Sequence, residues 1–247
     1  MIKSYCKVNL FLKVLKKNNV GLHNIQSTAM LIDLHDEISI KNIKKKKDFV
    51  VFKGLFKKNI SKKTNTVIRT LSLLRSENLI NPNMRYKVSI NKKIPTSAGL
   101  GGGTSNAMSV IKYFLKDKIS SKLLKKFENQ IGSDLRLFFF KHSFQKNLEK
   151  VTIFKKKYTF YFLLVYPNIK SSTKKVYSKV NKFNLPLKMD PSKITSKGKY
   201  NKFLINEGND LQKIVEKKHK IIKIILDLIR LQKNCLFSRM TDPEPVI

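Results

Sequence analysis

The alternation of hydrophobic and polar positions predicts strands first. Residues 9–15 (Asn-Leu-Phe-Leu-Lys-Val-Leu) alternate well enough for an opening strand, and residues 25–40 read as further strand and turn. Four lysines at 44–47 mark an exposed loop ahead of a strand-like Phe-Val-Val-Phe at 49–52. The period then changes. Residues 65–75, with Val67, Ile68, Leu71 and Leu74 on one side, predict an amphipathic helix. Residues 86–90 return to alternation through Val88 and Ile90, Met108, Ile111 and Leu115 recur at helical spacing, and residues 121–130 also read as helix. Lys155, Lys156 and Lys157 separate this half from an apolar run at 158–165, which predicts a buried strand. Residues 186–201 carry two prolines, a glycine and many lysines and read as a loop. Residues 205–231 predict a long helix with Leu211, Ile214, Ile221, Ile225 and Leu228 on its apolar face. No internal repeat is visible. The fold class is α+β, two-layered in each half, with a boundary near 150 that divides the chain into residues 1–150 and 151–247.

Composition places these elements in a globular protein. The 247 residues are 41% hydrophobic and 10% aromatic, enough for a real core in each half. Cys6 and Cys235, far apart, give no disulfide framework and suit a reducing compartment. The N-terminus has neither a hydrophobic signal core nor an Arg- and Ser-rich amphipathic stretch, so a cytoplasmic protein is expected. The most apolar run, residues 158–166, is too short to cross a bilayer, and no membrane partner is expected. The formal net charge of +36 invites a nucleic-acid reading. Its make-up opposes that: six of the 52 basic residues are arginines (69, 75, 85, 136, 230 and 239) and 46 are lysines, spread along the whole chain. Bidentate recognition of bases and phosphates relies on arginine, so no specific nucleic-acid partner is expected. The lysines read as solvated surface positions that also steer anionic substrates.

One segment carries chemistry. Of nine glycines in the chain, Gly99, Gly101, Gly102 and Gly103 fall within five positions, inside Pro95-Thr96-Ser97-Ala98-Gly99-Leu100-Gly101-Gly102-Gly103-Thr104-Ser105. Without Cβ atoms a backbone can bend sharply and approach a ligand closely. A glycine loop that opens a helix also aims unpaired N–H groups and the positive end of the helix dipole forward, where a phosphate fits. Neither a Walker A Gly-Lys-Ser/Thr nor a Gly-x-Gly-x-x-Gly dinucleotide spacing is present, since position 104 is Thr. A strand before the loop and a helix after it favour a nucleotide site over a linker.

The loop, from Pro95 to Asn106, resembles the ATP loop of the GHMP kinases, the superfamily of galactokinase, homoserine kinase and mevalonate kinase. Other segments narrow the resemblance to the 4-diphosphocytidyl-2-C-methyl-D-erythritol kinases. Cys6-Lys-Val-Asn-Leu-Phe-Leu12 is similar to their Ala-Lys-x-Asn-Leu-x-Leu start, and Gly21-Leu-His23 with Gln26 and Thr28 resembles their Gly-Tyr-His-x-x-Gln-Thr segment. Leu34-His-Asp36, Gly132-Ser-Asp134, Pro167 with Ser172-Thr173, and Asn209-Asp-Leu211 follow in family order. The resemblance implies ATP-dependent phosphorylation of the 2-hydroxyl of 4-diphosphocytidyl-2-C-methyl-D-erythritol, a step of the non-mevalonate route to isoprenoid precursors. It implies an N-terminal ATP-binding domain (1–150) like ribosomal protein S5 domain 2 and a partial ferredoxin-like C-terminal domain (151–247). A small-molecule substrate, ATP with Mg²⁺, and a monomer or homodimer complete the expectation.

By the same resemblance Asp134 takes the proton from the substrate hydroxyl, and Lys7 lies between that carboxylate and the γ-phosphate. Without the motifs Lys7 would be one of 46 lysines and Asp134 a turn residue. Residues 95–105 hold the ATP phosphates, with Thr104 or Ser105 near Mg²⁺; no protein metal cluster is expected. Asn65 reads equally as a nucleotide contact and as a plain helix cap. Asn9 and His23 are candidates for the cytidine and diphosphate end, together with Thr173 and Tyr177. Tyr177 matches an aromatic that stacks on cytosine in the family, and a tyrosine there is also ordinary core or surface. The chain departs from the pattern at three places. Leu22 replaces a tyrosine of the cytosine clamp, Arg136 replaces a proline, and after Phe237-Ser-Arg-Met-Thr241 the expected Gly-Ser-Gly gives way to Asp242-Pro-Glu-Pro-Val-Ile247. That last departure reads as a truncated or frame-shifted C-terminus. The rival readings are a GHMP kinase for another small alcohol, an inactive truncated remnant, and a basic nucleic-acid-binding protein.

Overall fold

A computed structural model of the chain describes residues 1–17, 23–58, 60–116, 118–169, 171–242 and 246–247. Two long strands open it, β1 (Ile2–Lys17) and β2 (His23–Ile43), which pair with each other. The chain divides into two compact units, each discontinuous in sequence, and both strands run from one unit into the other.

The first unit comprises residues 1–7, 31–96 and 101–139. Here β2 pairs antiparallel with β4 (Arg85–Asn91), from Glu37 opposite Asn91 to Ile43 opposite Arg85. The short β3 (Phe49–Lys53) lies parallel to β4. Three helices follow the apolar periodicity: α1 (Thr66–Ser76), α2 (Gly102–Leu115) and α3 (Ser121–Ile131). Val67, Leu71 and Leu74 of α1 and Met108 and Ile111 of α2 pack with Ile38, Val50, Val88, Ile90 and Phe127 in one buried core. The β–α alternation read from the sequence therefore holds in this unit.

The second unit comprises residues 8–30, 97–100 and 140–247. Ser27 to Met30 of β2 pair with β5 (His142–Gln145), which pairs with β6 (Val151–Ile153). The helices are α4 (Thr173–Tyr177), α5 (Lys197–Asn206), α6 (Gln212–Lys218) and α7 (Lys220–Arg230). Leu12 and Val14 of β1 share a core with Leu211, Val215, Ile222, Leu226, Met240 and Ile247.

Sequence expectations fail at three places in this unit. Residues 158–165 form no strand: Tyr161 is 98% exposed and Leu163 67%, while Val165 exchanges N–H and C=O with Ile247 at 2.8 and 3.1 Å. Aromatic and β-branched residues favour a strand only where a neighbouring strand accepts the ladder. The long helix over 205–231 is in fact α6 and α7, broken at His219 (φ −131°, ψ 84°). Ile222 and Leu226 are buried, on the same stripe as Leu211 and Val215, while Ile221 and Leu228 are exposed, so the buried face is one residue out from the one the sequence marks. The start of α5 also reaches back into the predicted loop of 186–201.

Candidate active site

The glycine loop bends where the residue types allow it. Gly99 and Gly101 sit at φ +68° and +65°, and Ser97 also takes positive φ, at +55°. In the first unit, a Cβ on Gly101 would lie 2.6 Å from Cζ of Phe138 and 3.2 Å from an Asp134 carboxylate oxygen. Gly101 is therefore required twice, by conformation and by the approach of the turn that carries Asp134. It is also the N-cap of α2, and no side chain caps that helix end. The first-turn N–H groups of α2 have no intrahelical acceptor, the arrangement that receives an anion. Thr66, the first residue of α1, braces this end by donating its hydroxyl to the carbonyl of Gly103 at 2.9 Å.

The two hydroxyls after the glycines have different surroundings. Ser105 Oγ is buried, donating to the Tyr5 carbonyl at 2.5 Å and lying 2.8 Å from Ser4 Oγ, so it ties α2 to β1. Thr104 Oγ1 lies 3.3 Å, and an Asp134 carboxylate oxygen 3.2 Å, from the Cβ position that Gly132 leaves empty. These two hard oxygens converge beside the loop, which fits Mg²⁺. Among the described residues no group of three or more His, Cys, Asp or Glu side chains is placed to hold a metal ion. An ion held by one or two protein oxygens and completed by nucleotide phosphates matches that donor set.

Asp134 lies in the turn between α3 and a short 3-10 helix, Leu135–Phe139. Arg136, where the family pattern has proline, makes a two-pronged ion pair with buried Glu128 on α3 at 2.5 and 2.6 Å. The pair fixes the turn by charge where a proline ring would fix it by covalent restraint. Lys7 is buried on β1. Its neighbour Cys6 has its thiol pushed up to about 12, first by burial, with the Lys7 charge pulling it down. Asn65 caps α1: its side-chain oxygen accepts from the N–H groups of Val67 and Ile68 at 3.0 Å, and its amide donates to Ser61.

The remaining predicted residues belong to the second unit. His23 has the rings of Tyr177 and Phe183 at 5.2 and 5.8 Å, tilted by 30° and 33°. Its Nε2 is buried without a hydrogen-bond partner among the described residues. Burial and then the Lys17 charge lower its pKa, both disfavouring the charged ring. Burial first, and Asp242 second, raise the phenol of Tyr177. Thr173 is exposed at the start of α4, which Ser172 caps. Asn9 is buried; its N–H donates to Thr241 Oγ1 at 2.6 Å and its side-chain amide to Asp242 at 3.4 Å. Leu22 lies outside the described residues.

Comparison with known proteins settles the lineage. The GHMP kinases N terminal domain family matches residues 65–135. A relative from Pelagibacter ubique (strain HTCC1062), named 4-diphosphocytidyl-2-C-methyl-D-erythritol kinase, is 40% identical over 97% of this chain and 85% of its own length. The chain belongs to the 4-diphosphocytidyl-2-C-methyl-D-erythritol kinase family. A relative of the same name from Sulfurihydrogenibium sp. (strain YO3AOP1) is 34% identical over 92% of this chain and 80% of its own. A crystal structure of 4-(cytidine 5'-diphospho)-2C-methyl-D-erythritol kinase superposes with a TM-score of 0.66, covering 99% of this chain and 87% of that one at 18% identity. That likeness shows the fold, and the α+β GHMP kinase fold expected from the sequence is the one observed.

For a member of this kinase family, sequence reading missed several neighbours of the site. Phe138 and Thr66 shape the glycine loop by contact, and Glu128 anchors the turn of Asp134. Phe183 is an aromatic near His23 that no motif flags. A buried acid with a buried lysine, Asp36 and Lys92, underlies the root of the loop. Only Asp36 carried a sequence signal, through the Leu-His-Asp segment.

Proposed function

We propose that this chain transfers the γ-phosphoryl group of ATP to the 2-hydroxyl of 4-diphosphocytidyl-2-C-methyl-D-erythritol, in the non-mevalonate route to isoprenoid precursors. The observation that carries the reading is the 40% identity, over 97% of the chain, to a relative of that name. The uncapped, glycine-built start of α2 supports the nucleotide half. Phosphoryl transfer asks a protein mainly for positioning and charge stabilisation. Main-chain N–H groups around Gly101 to Thr104 grip the phosphates. Asp134 accepts the proton of the attacking hydroxyl, and the Lys7 ammonium stabilises the charge that builds on the alkoxide and the moving phosphoryl group. Thr104 would hold Mg²⁺, which would supply further charge neutralisation at the phosphates. His23, with its buried unpaired nitrogen among aromatic rings, and Tyr177 recognise the cytosine; Asn9 and Thr173 serve the cytidine diphosphate end. Asn65 orders α1 at the edge of the nucleotide site.

A coupled assay of ADP release tests this with the cytidine-linked alcohol, homoserine and mevalonate as acceptors. Turnover is expected with the first alone, and Asp134→Asn is expected to lower kcat about 10²–10⁴-fold while ATP still binds. Turnover on homoserine or mevalonate in preference, or full activity in Asp134→Asn, refutes the assignment.

A further inference from the structure

The pairing of β2 with β4 ends at Glu37 opposite Asn91, and the next residues beyond that pair are both charged: Asp36, within β2, and Lys92, just past the end of β4. Both are buried, at 0% and 3% exposure, and the Lys92 ammonium hydrogen-bonds an Asp36 carboxylate oxygen. The other carboxylate oxygen accepts two main-chain N–H groups, from Lys93 at 2.8 Å and Ile94 at 2.9 Å. Three donors on one buried carboxylate make a closed set, and all three come from residues immediately ahead of Pro95.

Burying an acid and a lysine is costly, and apolar residues of similar volume commonly stabilise a core as well or better. The location suggests what this pair does. The chain leaves the sheet at Lys92, where its N–H still bonds the Lys53 carbonyl on β3, and becomes the phosphate loop within three residues. Ladder bonding from β2 is finished, and the Asp36 carboxylate takes its place as acceptor for the departing backbone. The ammonium also reaches the far side of the loop. Lys92 Nζ lies 3.4 Å from the Cβ position of Gly102, the first residue of α2, and the Ile94 side chain lies 3.0 Å from the same point.

We propose that Asp36 is a positioning residue for ATP: through the N–H groups of Lys93 and Ile94 and through Lys92, it fixes both ends of the glycine loop so that the α2 N–H groups are pre-aimed at the phosphates. The inference rests on the nucleotide role given above to residues 95–105. Misplacing such a loop by an ångström weakens every phosphate contact together without touching one directly. Lys92 balances the Asp36 charge, so no bare carboxylate faces an incoming triphosphate.

The test is calorimetric titration of MgATP into the full chain without acceptor, beside urea melts and KM values for both substrates. Two variants are compared, Asp36→Asn and the double Asp36→Asn with Lys92→Met, which leaves no lone buried charge. Both are expected to bind ATP about tenfold or more weakly and to raise KM for ATP, with KM for the acceptor unchanged. The double variant is expected to melt close to the unaltered chain, separating ATP affinity from stability. Unaltered ATP affinity in a stable double variant overturns the inference. So does a parallel rise in both KM values that tracks stability, and so does failure of both variants to fold, which would mark the pair as purely structural. If the unaltered chain itself does not bind ATP, the kinase reading falls and takes this inference with it.

Discussion

At the scale of single residues, type and position carried different amounts of information. The glycines were legible because their conformational freedom is a property of the residue, and Gly99 and Gly101 do take positive φ. The division of labour between Thr104 and Ser105 was not legible, because adjacent hydroxyls differ only in which side of a helix they face. Ser105 turns inward to Tyr5 and Ser4, whereas Thr104 lies beside Asp134 and Gly132. Ser105→Ala should therefore lower stability by about 1–2 kcal/mol, through the lost hydrogen bond and an orphaned carbonyl, with little change in kcat. Thr104→Val should leave the melt nearly unchanged, lower kcat/KM for MgATP at least tenfold, and raise the Mg²⁺ concentration needed for half-maximal rate. Urea melts and Mg²⁺ titrations of the two variants check this pair. If Ser105→Ala gave the Mg²⁺ defect, the roles would have to be exchanged.

At the scale of elements, apolar period predicted the first unit well, since α1 and α2 bury most of the positions that the sequence marks and α3 forms where a helix was read. It failed where an element depends on a distant partner: residues 158–165 have strand composition without a strand neighbour, and the break at His219 has no proline or glycine to announce it. Packing around β5 also hides a titratable group that sequence alone leaves ordinary. His142 stacks on Phe154 at 3.6 Å between ring centres, and its Nε2 lies 2.9 Å from the Tyr200 hydroxyl. Burial lowers its pKa from 6.5 to about 3. The depressed value means that the unfolded chain binds a proton below pH 6.5 that the folded chain refuses until about pH 3. Stability is thus complete above 6.5 and is lost as pH falls through that window, by up to about 1.4 kcal/mol per pH unit. His142→Phe should flatten the slope by that amount while costing some stability at neutral pH, where the Tyr200 hydroxyl loses one of its partners. Equal slopes for the two proteins between pH 6.5 and 4 would show that His142 protonates freely in the fold.

At the scale of the whole molecule, the charge of +36 is the property most easily read and most easily misread. It is mostly lysine on the surface, including the exposed run at 44–47, while the lysines buried among the described residues, Lys7 and Lys92, belong to the candidate site and its support. Composition cannot separate these two groups, since a lysine acquires its role only from what the fold places beside it. The surface group has a measurable consequence of its own. A positive potential of this size draws in the anionic MgATP and the diphosphate of the acceptor, and salt screens it over a Debye length of about 10 Å at 0.1 M. Between about 50 and 500 mM KCl, kcat/KM for ATP should fall several-fold while kcat stays nearly constant, because short-range contacts at a partly buried loop are screened much less than long-range attraction. Changing Lys44, Lys45, Lys46 and Lys47 to Gln should make that fall shallower without altering the high-salt limit. Initial rates over the salt series decide the matter. If kcat fell with kcat/KM, salt would be reaching the reacting groups themselves, and the surface lysines would not be the source of the effect.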